Sequence, residues 1–435
     1  MLLDMTLDRS TFTSAGAAEV SPYDSSPAAA TQQSAGILGQ LTSRLPRFLQ
    51  RRVQVIQRDL KMIGLGLRGQ YPPPMMLRPK RKSREELLLA PRTLQVVRLV
   101  RETPDAVTLW LADPSGADIP FVPGQFFTVL LNIEGQQLRR AYSACSSALQ
   151  PQTVAITSKR VEKGVVSNYL NDHAYEGMKL QVLGPSGNFT VPQRSDANRH
   201  LVLLGGGSGL TPLLAIAQAT LGQQPQTRVS LIAGHRSAAE VLFKSQLAAL
   251  AAQYPAQFHY QQVLELAASE SGCTVGRLDE ATTERELAAL PLATQESVDY
   301  FLCGPAGMMT AARAVLKARG VPADRIHEER FSSLHDAHDP TMPATAQQAE
   351  VNVQGQRHAL TVQPGETLLE AGLRAGLSMP YSCALGGCGA CKVKLDTGEV
   401  AMQQPNCLTP AEQSEGFVLA CVARPRTAVK VTTPS

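Results

Sequence analysis

Four cysteines near the C-terminal end of the chain have a spacing suited to binding iron. In the pattern C-x4-C-x2-C…C, they are Cys383, Cys388, Cys391 and Cys421. This spacing is typical of a [2Fe–2S] cluster, in which two irons require four soft thiolate ligands. Gly386, Gly387 and Gly389 let the intervening loop turn where side chains would block it. The sequence therefore predicts a [2Fe–2S] cluster. The alternative is structural zinc, which usually takes paired C-x2-C units, whereas only one such pair occurs here.

The length and composition indicate several soluble domains around this site. A chain of 435 residues is expected to form roughly two to four domains. No apolar run approaches the roughly 20 residues that span a bilayer. Residues 1–14 lack the basic start and the apolar stretch of a secretory signal. Clustered cysteines in a long chain of this kind favour metal ligation over disulfides, and we expect a cytoplasmic protein.

The first 92 residues differ from the rest in charge. They hold 14 Lys and Arg against 7 Asp and Glu, whereas the whole chain has a net charge of +4. Residues 1–36 are rich in Ser, Ala, Thr and Pro and are expected to be disordered. Residues 46–63 place apolar side chains at a helical period with basic ones on another side, which predicts a basic helix. Such a helix either contacts a membrane surface or a partner, or packs on the body of the protein. No nucleic-acid partner is expected.

Hydrophobic periodicity divides the remainder into three domains and a linker. Residues 93–193 alternate like strands between Pro and Gly turns, which predicts an antiparallel β-barrel. The strands expected there are Gln95–Val100, Val107–Leu111, Phe126–Leu131, Thr153–Thr157 and Lys179–Leu183. Residues 194–332 alternate strand and helix patterns, which predicts an α/β domain with a parallel sheet. Residues 333–347 form a polar linker, and residues 348–435 combine strands, a helix at Thr367–Ala375 and the cysteine loop.

Four short motifs in the first domain resemble those of the ferredoxin–NADP reductase family. In chain order they are Pro123–Phe126, Arg140–Ser143 (R-x-Y-S), Gly164–Ser167 (G-x-x-S) and Gly184–Phe189. Each motif is short, but all four occur in the order of the family. The resemblance implies that this domain binds a flavin, FAD rather than FMN, although some relatives with this domain order use FMN.

The resemblance and the side-chain chemistry together imply roles for the flavin motifs. Arg140 offers phosphate a planar fork of donors, and Tyr142 offers the flavin an aromatic face and a hydroxyl. In the family the motif serine bonds the flavin N5 atom, which implies this role for Ser143. Gly164 begins a helix whose first N–H groups, together with Ser167, are expected to bind pyrophosphate.

A glycine-rich turn in the second domain is expected to bind the nucleotide. Residues 205–212 read GGGSGLTP between an apolar strand and a helix, the context that a phosphate-binding turn requires. They resemble the G-G-G-x-G-x-T-P turn of the same family. The implied nucleotide-binding positions are Gly205, Gly206, Gly207, Gly209 and Thr211.

Two further motifs of the second domain resemble segments that meet the reacting rings. Cys303-Gly304-Pro305 resembles the C-G-P of the family, which implies that Cys303 lies near the reactive nicotinamide carbon. It would complete a catalytic set with Tyr142 and Ser143. A buried thiol that only packs is the alternative, and the two roles are compatible. Glu328–Phe331 resembles the segment that leads out of the nucleotide domain, which implies a flavin contact for Phe331.

The choice between NADPH and NADH depends on charge at the ribose 2′ position. Arg236 and Ser237 follow the second strand of the α/β domain, where NADPH-using relatives bind the 2′-phosphate. An exposed arginine at a strand end is the alternative interpretation. The sequence therefore favours NADPH only slightly over NADH.

Over residues 93–435 the domain order resembles that of reductase components of bacterial oxygenases and desaturases, including the phenylacetyl-CoA epoxidase reductase type. The resemblance implies a β-grasp ferredoxin domain at the C-terminal end. It also implies hydride transfer from NAD(P)H to the flavin, followed by single-electron transfer through the cluster to an oxygenase, hydroxylase or desaturase. The alternative is a non-enzymatic electron carrier whose flavin domain is only a scaffold. A membrane-bound partner would make the protein membrane-associated.

Overall fold

The computed structural model describes residues 90–194, 199–266, 273–292, 297–331, 343–404 and 406–434. These residues belong to one compact unit, Lys82–Ser435. The disorder expected for residues 1–36 and the basic helix expected at residues 46–63 lie outside the described residues.

The first described domain is an antiparallel sheet of six strands. They are β1 (Arg92–Thr103), β2 (Ala106–Ala112), β3 (Phe126–Ile133), β4 (Gln136–Ser143), β5 (Thr153–Lys159) and β6 (Lys179–Ser186). Their order is β4-β3-β6-β1-β2-β5. A bridge between Ala144 and Ile156 links the two edge strands and closes the sheet, which confirms the predicted barrel. Helix α1 (Val165–His173) follows β5.

Strand β4 is the one strand of this sheet that alternation did not predict. Its sequence, QQLRRAYS, offers no apolar alternation, and most of its residues are exposed or half-buried. It forms because it pairs with β3 along its whole length, so tertiary pairing overrides a weak local preference. In this register Phe126 faces Ser143, and Thr128 faces Ala141. The flavin motif therefore lies on an edge strand rather than on a loop.

The second domain is the predicted parallel sheet with helices. Its described strands are β7 (Arg199–Gly206), β8 (Arg228–His235), β9 (Phe258–Leu264), β10 (Cys273–Val275), β11 (Ser297–Cys303) and β12 (Ile326–Glu329), in the order β10-β9-β8-β7-β11-β12. Its helices are α2 (Leu210–Gln223), α3 (Lys244–Gln253), α4 (Glu280–Ala288) and α5 (Ala306–Ala318). Pro212 is the third residue of α2. It is tolerated because the N–H groups of a first turn have no intrahelical acceptor.

The third domain is a mixed sheet with one helix packed on it. The strands are β13 (Gln347–Val353), β14 (Gln356–Val362), β15 (Lys392–Thr397), β17 (Phe417–Leu419) and β19 (Val429–Thr432), in the order β14-β13-β19-β15-β17. Strands β16 (Val400–Met402) and β18 (Ala423–Pro425) form a separate pair. Helix α6 (Leu368–Arg374) confirms the predicted helix and begins at a capping box formed by Thr367 and Glu370. A short helix, α7 (Pro410–Ser414), precedes β17.

The described helices include none that is both long and apolar enough to cross a membrane.

Candidate functional site

A cavity of about 220 Å³, here called the junction cavity, lies where the three domains meet. The barrel contributes Phe126 and Ser143, and the parallel sheet contributes Glu329 and Phe331. The third domain contributes Leu385–Gly387, which belong to the loop between the first and third predicted cluster ligands. The fold therefore brings two predicted flavin residues, Ser143 and Phe331, against the cysteine loop.

A serine–glutamate pair is the main polar feature of this cavity. Ser143 Oγ donates a hydrogen bond to Glu329 Oε2 at 3.0 Å. Burial raises the pKa of Glu329 to about 8, so its carboxyl group keeps a proton at neutral pH. A hydroxyl group and a neutral carboxylic acid can each donate or accept a hydrogen bond. The pair can therefore bind the polar edge of an aromatic ring system placed in the cavity.

Sequence reasoning missed Glu329 although its motif was recognised. The motif Glu328–Phe331 led to Phe331, which lines the same cavity and is 40% exposed. The role of Glu329 becomes visible only in the folded structure, because 186 positions separate it from Ser143, its hydrogen-bond donor. Only the packing of the barrel against β12 brings the two together.

Cys303 lies on the strand next to Glu329. In the parallel sheet it is the register partner of Gly205 on one side and of Glu329 on the other. Its side chain is completely buried, and burial raises the pKa of the thiol well above its ordinary value. Such a thiol is not a nucleophile. Its predicted proximity to the nicotinamide stays a prediction.

Ala141 of the R-x-Y-S motif also lines the junction cavity, whereas Arg140 and Tyr142 lie outside its lining. The Tyr142 hydroxyl accepts a hydrogen bond from Ser158 Oγ at 3.4 Å, and burial raises the pKa of Tyr142. Arg140 is exposed, and its Nη1 donates to the carbonyl of Arg139 at 2.7 Å. Their predicted contacts with the flavin body and phosphate stay predictions.

The G-x-x-S segment forms the N-cap and the first turn of α1. Ser167 Oγ accepts a hydrogen bond from the Val161 N–H at 3.1 Å and lies 3.5 Å from the Gly164 carbonyl oxygen. Gly164 is the N-cap of α1 and has no side-chain cap. The Ser167 hydroxyl therefore stabilises the turn, and the pyrophosphate site expected at this helix start stays a prediction.

A second, larger cavity of about 770 Å³, here called the nucleotide cavity, opens at the carboxyl end of the parallel sheet. This edge is where open α/β sheets bind their ligands. The predicted nucleotide residues that line it are Gly206, Gly207 and Arg236. Lys159, at the end of barrel strand β5, and Arg277 also line it.

The remaining predicted positions of the glycine turn shape the turn rather than line the cavity. A Cβ atom on Gly209 would lie 2.1 Å from the Cys303 carbonyl oxygen, and one on Gly205 would lie 2.7 Å from Leu213 Cδ1. Thr211 Oγ1 donates to a backbone carbonyl within the turn at 2.8 Å. Ser237 is the N-cap of a short 3-10 turn and does not line the cavity. These glycines are required by close packing, which the sequence alone does not distinguish from ligand contact.

Lys159 was not selected from the sequence. Its Nζ forms an ion pair with Glu240 at 3.2 Å and lies 3.9 Å from the position that a Cβ on Gly207 would occupy. The barrel therefore places a cation directly above the glycine turn. Nearby, His235 also lines the cavity, and burial together with the charge of Lys159 lowers its pKa to about 4. No local pattern marks Lys159, because its role depends on packing between two domains.

The four predicted cluster ligands come together as two pairs of thiols. The side chains of Cys383 and Cys388 contact each other, and so do those of Cys391 and Cys421. Within the described ranges, no three or more His, Cys, Asp or Glu side chains form a site for a single metal ion. Two thiol pairs suit two irons that take two thiolates each. Cys388 is half-buried, whereas the other three are buried.

Backbone N–H groups point at several of these sulfurs. Leu385 N donates to Cys383 Sγ and Gly386 N donates to Cys421 Sγ, both at 3.3 Å. Gly386 and Gly389 both have φ of 76°, a left-handed conformation that glycine adopts without strain. A third donor, the N–H of Ala390, points at Cys388 Sγ at 3.5 Å. The donor set therefore fits a [2Fe–2S] cluster.

Comparison with protein families assigns each domain a cofactor. Residues 94–191 match the oxidoreductase FAD-binding domain, and residues 203–314 match the oxidoreductase NAD-binding domain. Residues 351–426 match the 2Fe-2S iron-sulfur cluster binding domain, which replaces the zinc alternative. The class is therefore a multidomain oxidoreductase that uses FAD, a pyridine nucleotide and a [2Fe–2S] cluster.

Curated relatives narrow this class. The chain is 35% identical over 349 residues to a subunit of the 1,2-phenylacetyl-CoA epoxidase of Escherichia coli, covering 77% of this chain and 95% of the relative. It is 36% identical over 359 residues to the 3-ketosteroid-9-alpha-monooxygenase, ferredoxin reductase component, of Mycobacterium tuberculosis, covering 78% of this chain and 95% of the relative. The chain therefore belongs to the family of ferredoxin reductase components that carry a C-terminal [2Fe–2S] domain.

A solved structure shows the same fold. Phthalate dioxygenase reductase, described as a modular structure for electron transfer from pyridine nucleotides to [2Fe–2S], matches with a TM-score of 0.52 and 21% identity. The match covers 79% of this chain and 97% of that structure. It agrees with the arrangement of barrel, parallel sheet and mixed sheet described above.

Proposed function

We propose that this protein takes electrons from NADPH and delivers them one at a time to a separate oxygenase. The observation that carries the proposal is the junction cavity, in which the Ser143–Glu329 pair lies on one side and the cysteine loop on the other. The curated relatives are components of an epoxidase and of a monooxygenase, which supports an oxygenase as the acceptor.

The residues of the junction cavity fit a flavin ring. A bound flavin would accept the electron pair of one hydride and release it as two single electrons, which a bound cluster would accept one at a time. Ser143 and Glu329 hold protons beside the cavity and orient the polar edge of the ring. Phe126 forms an apolar wall that excludes water, and a Cβ on Gly387 would lie 3.1 Å from its Cε1 atom. The cysteine loop lines the same cavity, which supports a ring site directly against the predicted cluster.

The nucleotide cavity supplies the phosphate contacts. Gly207 has φ of 52° and lets the backbone approach a pyrophosphate closely. Lys159 lies above this turn and is positioned to exchange Glu240 for a phosphate oxygen. Because Lys159 belongs to the barrel, nucleotide binding would also strengthen contact between the two domains.

NADPH is the proposed donor because two arginines line the outer part of the nucleotide cavity. Arg236 is exposed, and Arg277 has a side chain that is 77% exposed and forms an ion pair with Glu265 at 3.0 Å. Both can turn toward a 2′-phosphate. Replacing either by alanine should raise the KM for NADPH about fivefold and leave that for NADH unchanged. Equal effects on both nucleotides would reassign the donor to NADH.

The test of the proposed function distinguishes electron transfer through the cluster from direct electron transfer by the flavin. Cys388→Ser should abolish NADPH-dependent reduction of cytochrome c, which needs the cluster, and leave reduction of ferricyanide by the flavin intact. Cys145→Ser, at a buried thiol of the barrel, is the matched control and should change neither activity. If NADPH reduces neither acceptor with wild-type protein, the non-enzymatic carrier is correct instead.

Contact of residues 46–63 with a membrane is a separate proposal with no described structure behind it. It rests on the basic amphipathic pattern alone. Full-length protein that fails to co-sediment with anionic liposomes at low salt would remove it.

A further inference from the structure

Three residues of the barrel contact the chain at and just before the cysteine loop. Phe126 and Thr128 lie on β3, and Arg139 lies on β4. These are the strands that carry the flavin motif, since Thr128 faces Ala141 and Phe126 faces Ser143 in the β3–β4 register. Phe126 and Thr128 therefore share one face of this strand pair with Ser143 and Arg139, so the ring site and the contact with the third domain adjoin each other.

Arg139 makes the most specific of these contacts. Its Nη1 donates to the Tyr381 carbonyl, and its guanidinium carbon lies 4.2 Å from the centroid of the Tyr381 ring. Its Nε is buried and has no hydrogen-bond partner among the described residues. A half-buried guanidinium normally pairs with a carboxylate. Here the guanidinium group contacts Tyr381, which lies two positions before the predicted ligand Cys383.

The second and third contacts flank the same ligand. Ser382 Oγ donates to Thr128 Oγ1 at 3.0 Å, and these two residues are 2% and 1% exposed. The ring of Phe126 packs against Gly387, where a Cβ would approach its Cε1 atom to 3.1 Å. Contacts thus fix the loop both before and after Cys383. We call Arg139, Thr128 and Phe126 the barrel latch.

We propose that the barrel latch, through Arg139 on Tyr381, positions the cluster against the flavin and thereby sets the rate of electron transfer between them. The proposal rests on the proposed function. In the step concerned, a bound reduced flavin would lose one electron and one ferric iron of a bound cluster would become ferrous. The step would occur twice per NADPH because the proposed oxygenase would reoxidise the cluster between the two transfers, and the flavin would release its proton to solvent. No bond between the flavin and the cluster forms or breaks. The latch residues are positioning residues, since they move neither electrons nor protons.

The test uses holoprotein of Arg139→Ala with matched FAD, iron and sulfide contents. In anaerobic stopped-flow with NADPH, cluster reduction should slow about tenfold to a hundredfold, while flavin reduction stays within about twofold of wild type. Hydrogen exchange of the backbone around Tyr381 should become faster, a readout independent of turnover. Arg98→Ala is the matched control, because Arg98 also stacks on an aromatic ring of the barrel, Trp110, at 5.9 Å.

Two further variants keep the proposal testable if Arg139→Ala does not fold. Arg139→Lys keeps the charge but loses the planar fork, and should slow cluster reduction less than alanine does. Thr128→Val with Ser382→Ala removes both hydroxyl groups at once and should also slow it. Unchanged cluster reduction in fully loaded Arg139 variants would overturn the latch. Wild-type protein without flavin or labile sulfide would instead overturn the proposed function.

Discussion

The junction cavity and the nucleotide cavity differ in size, charge and manner of assembly. The first measures about 220 Å³, is built from all three domains and is centred on a carboxyl group that burial keeps neutral. The second measures about 770 Å³ and is lined by Lys159, Arg236 and Arg277, with carboxylates beside them. The difference matches their proposed occupants. A permanently bound cofactor needs a small, preorganised site. A nucleotide that binds and dissociates in each cycle needs cations that can exchange a carboxylate partner for a phosphate.

Removing the hydroxyl group of the junction cavity should have the largest effect. Ser143→Ala is expected to lower the rate of flavin reduction by NADPH about a hundredfold, because a preorganised donor at the reacting ring is lost. Stopped-flow measurement at saturating NADPH checks this. Ser146→Ala removes another buried serine, which accepts a hydrogen bond from Ala155 N at 3.0 Å, and should leave the rate unchanged. A normal rate in Ser143→Ala would show that the pair only supports the fold.

Variants of Lys159 and Glu240 test whether the ion pair of the nucleotide cavity exchanges its carboxylate for a phosphate. Lys159→Ala should raise the KM for NADPH about tenfold with little change in kcat, since a charge-assisted contact to phosphate is lost. Glu240→Gln should have the opposite effect, because the nucleotide no longer competes with a carboxylate for the lysine. Lys179→Ala, at an exposed lysine of the same barrel, is the control. If Glu240→Gln also weakened binding, the ion pair would be structural.

Replacing Glu329 should have the smallest effect on the rate at neutral pH, but it should change the pH profile of flavin reduction. The pKa of Glu329 is raised to about 8, so the carboxyl group is protonated below that pH and charged above it. A charged Glu329 repels the hydride that arrives beside it, and flavin reduction should therefore fall as pH rises through about 8. Glu329→Gln should stay within about threefold of wild type at pH 7 and lose the alkaline decline. An identical pH profile in this variant would assign the decline to another group.

The sequence predicted the fold class because the signals of strands and helices are local. Alternation identified five barrel strands, and the strand–helix rhythm identified the parallel sheet. It failed at β4, whose polar residues form a strand only because β3 pairs with them. The cysteine spacing correctly indicated a [2Fe–2S] domain, and three of the four predicted ligands lie within one short loop.

What the sequence did not predict are the contacts between domains. Arg139 and Tyr381 are 242 positions apart, and Lys159 and Glu240 are 81 apart. No periodicity encodes such pairs. The motif Glu328–Phe331 shows the same limit, because it indicated a segment of the junction cavity but not the hydrogen bond between Glu329 and Ser143. The sequence therefore identified cofactors, whereas domain packing determined how they are coupled.

The most direct test of the central claim, that electrons from NADPH pass through the junction cavity to a cluster, is an anaerobic reduction of the purified full-length protein. Absorption and electron paramagnetic resonance would be followed together after NADPH is added. We predict about two irons and two labile sulfides per chain, with flavin bleaching followed by the signal of a reduced [2Fe–2S] cluster. A protein without labile sulfide, or a flavin that bleaches while the cluster stays oxidised, would contradict the account.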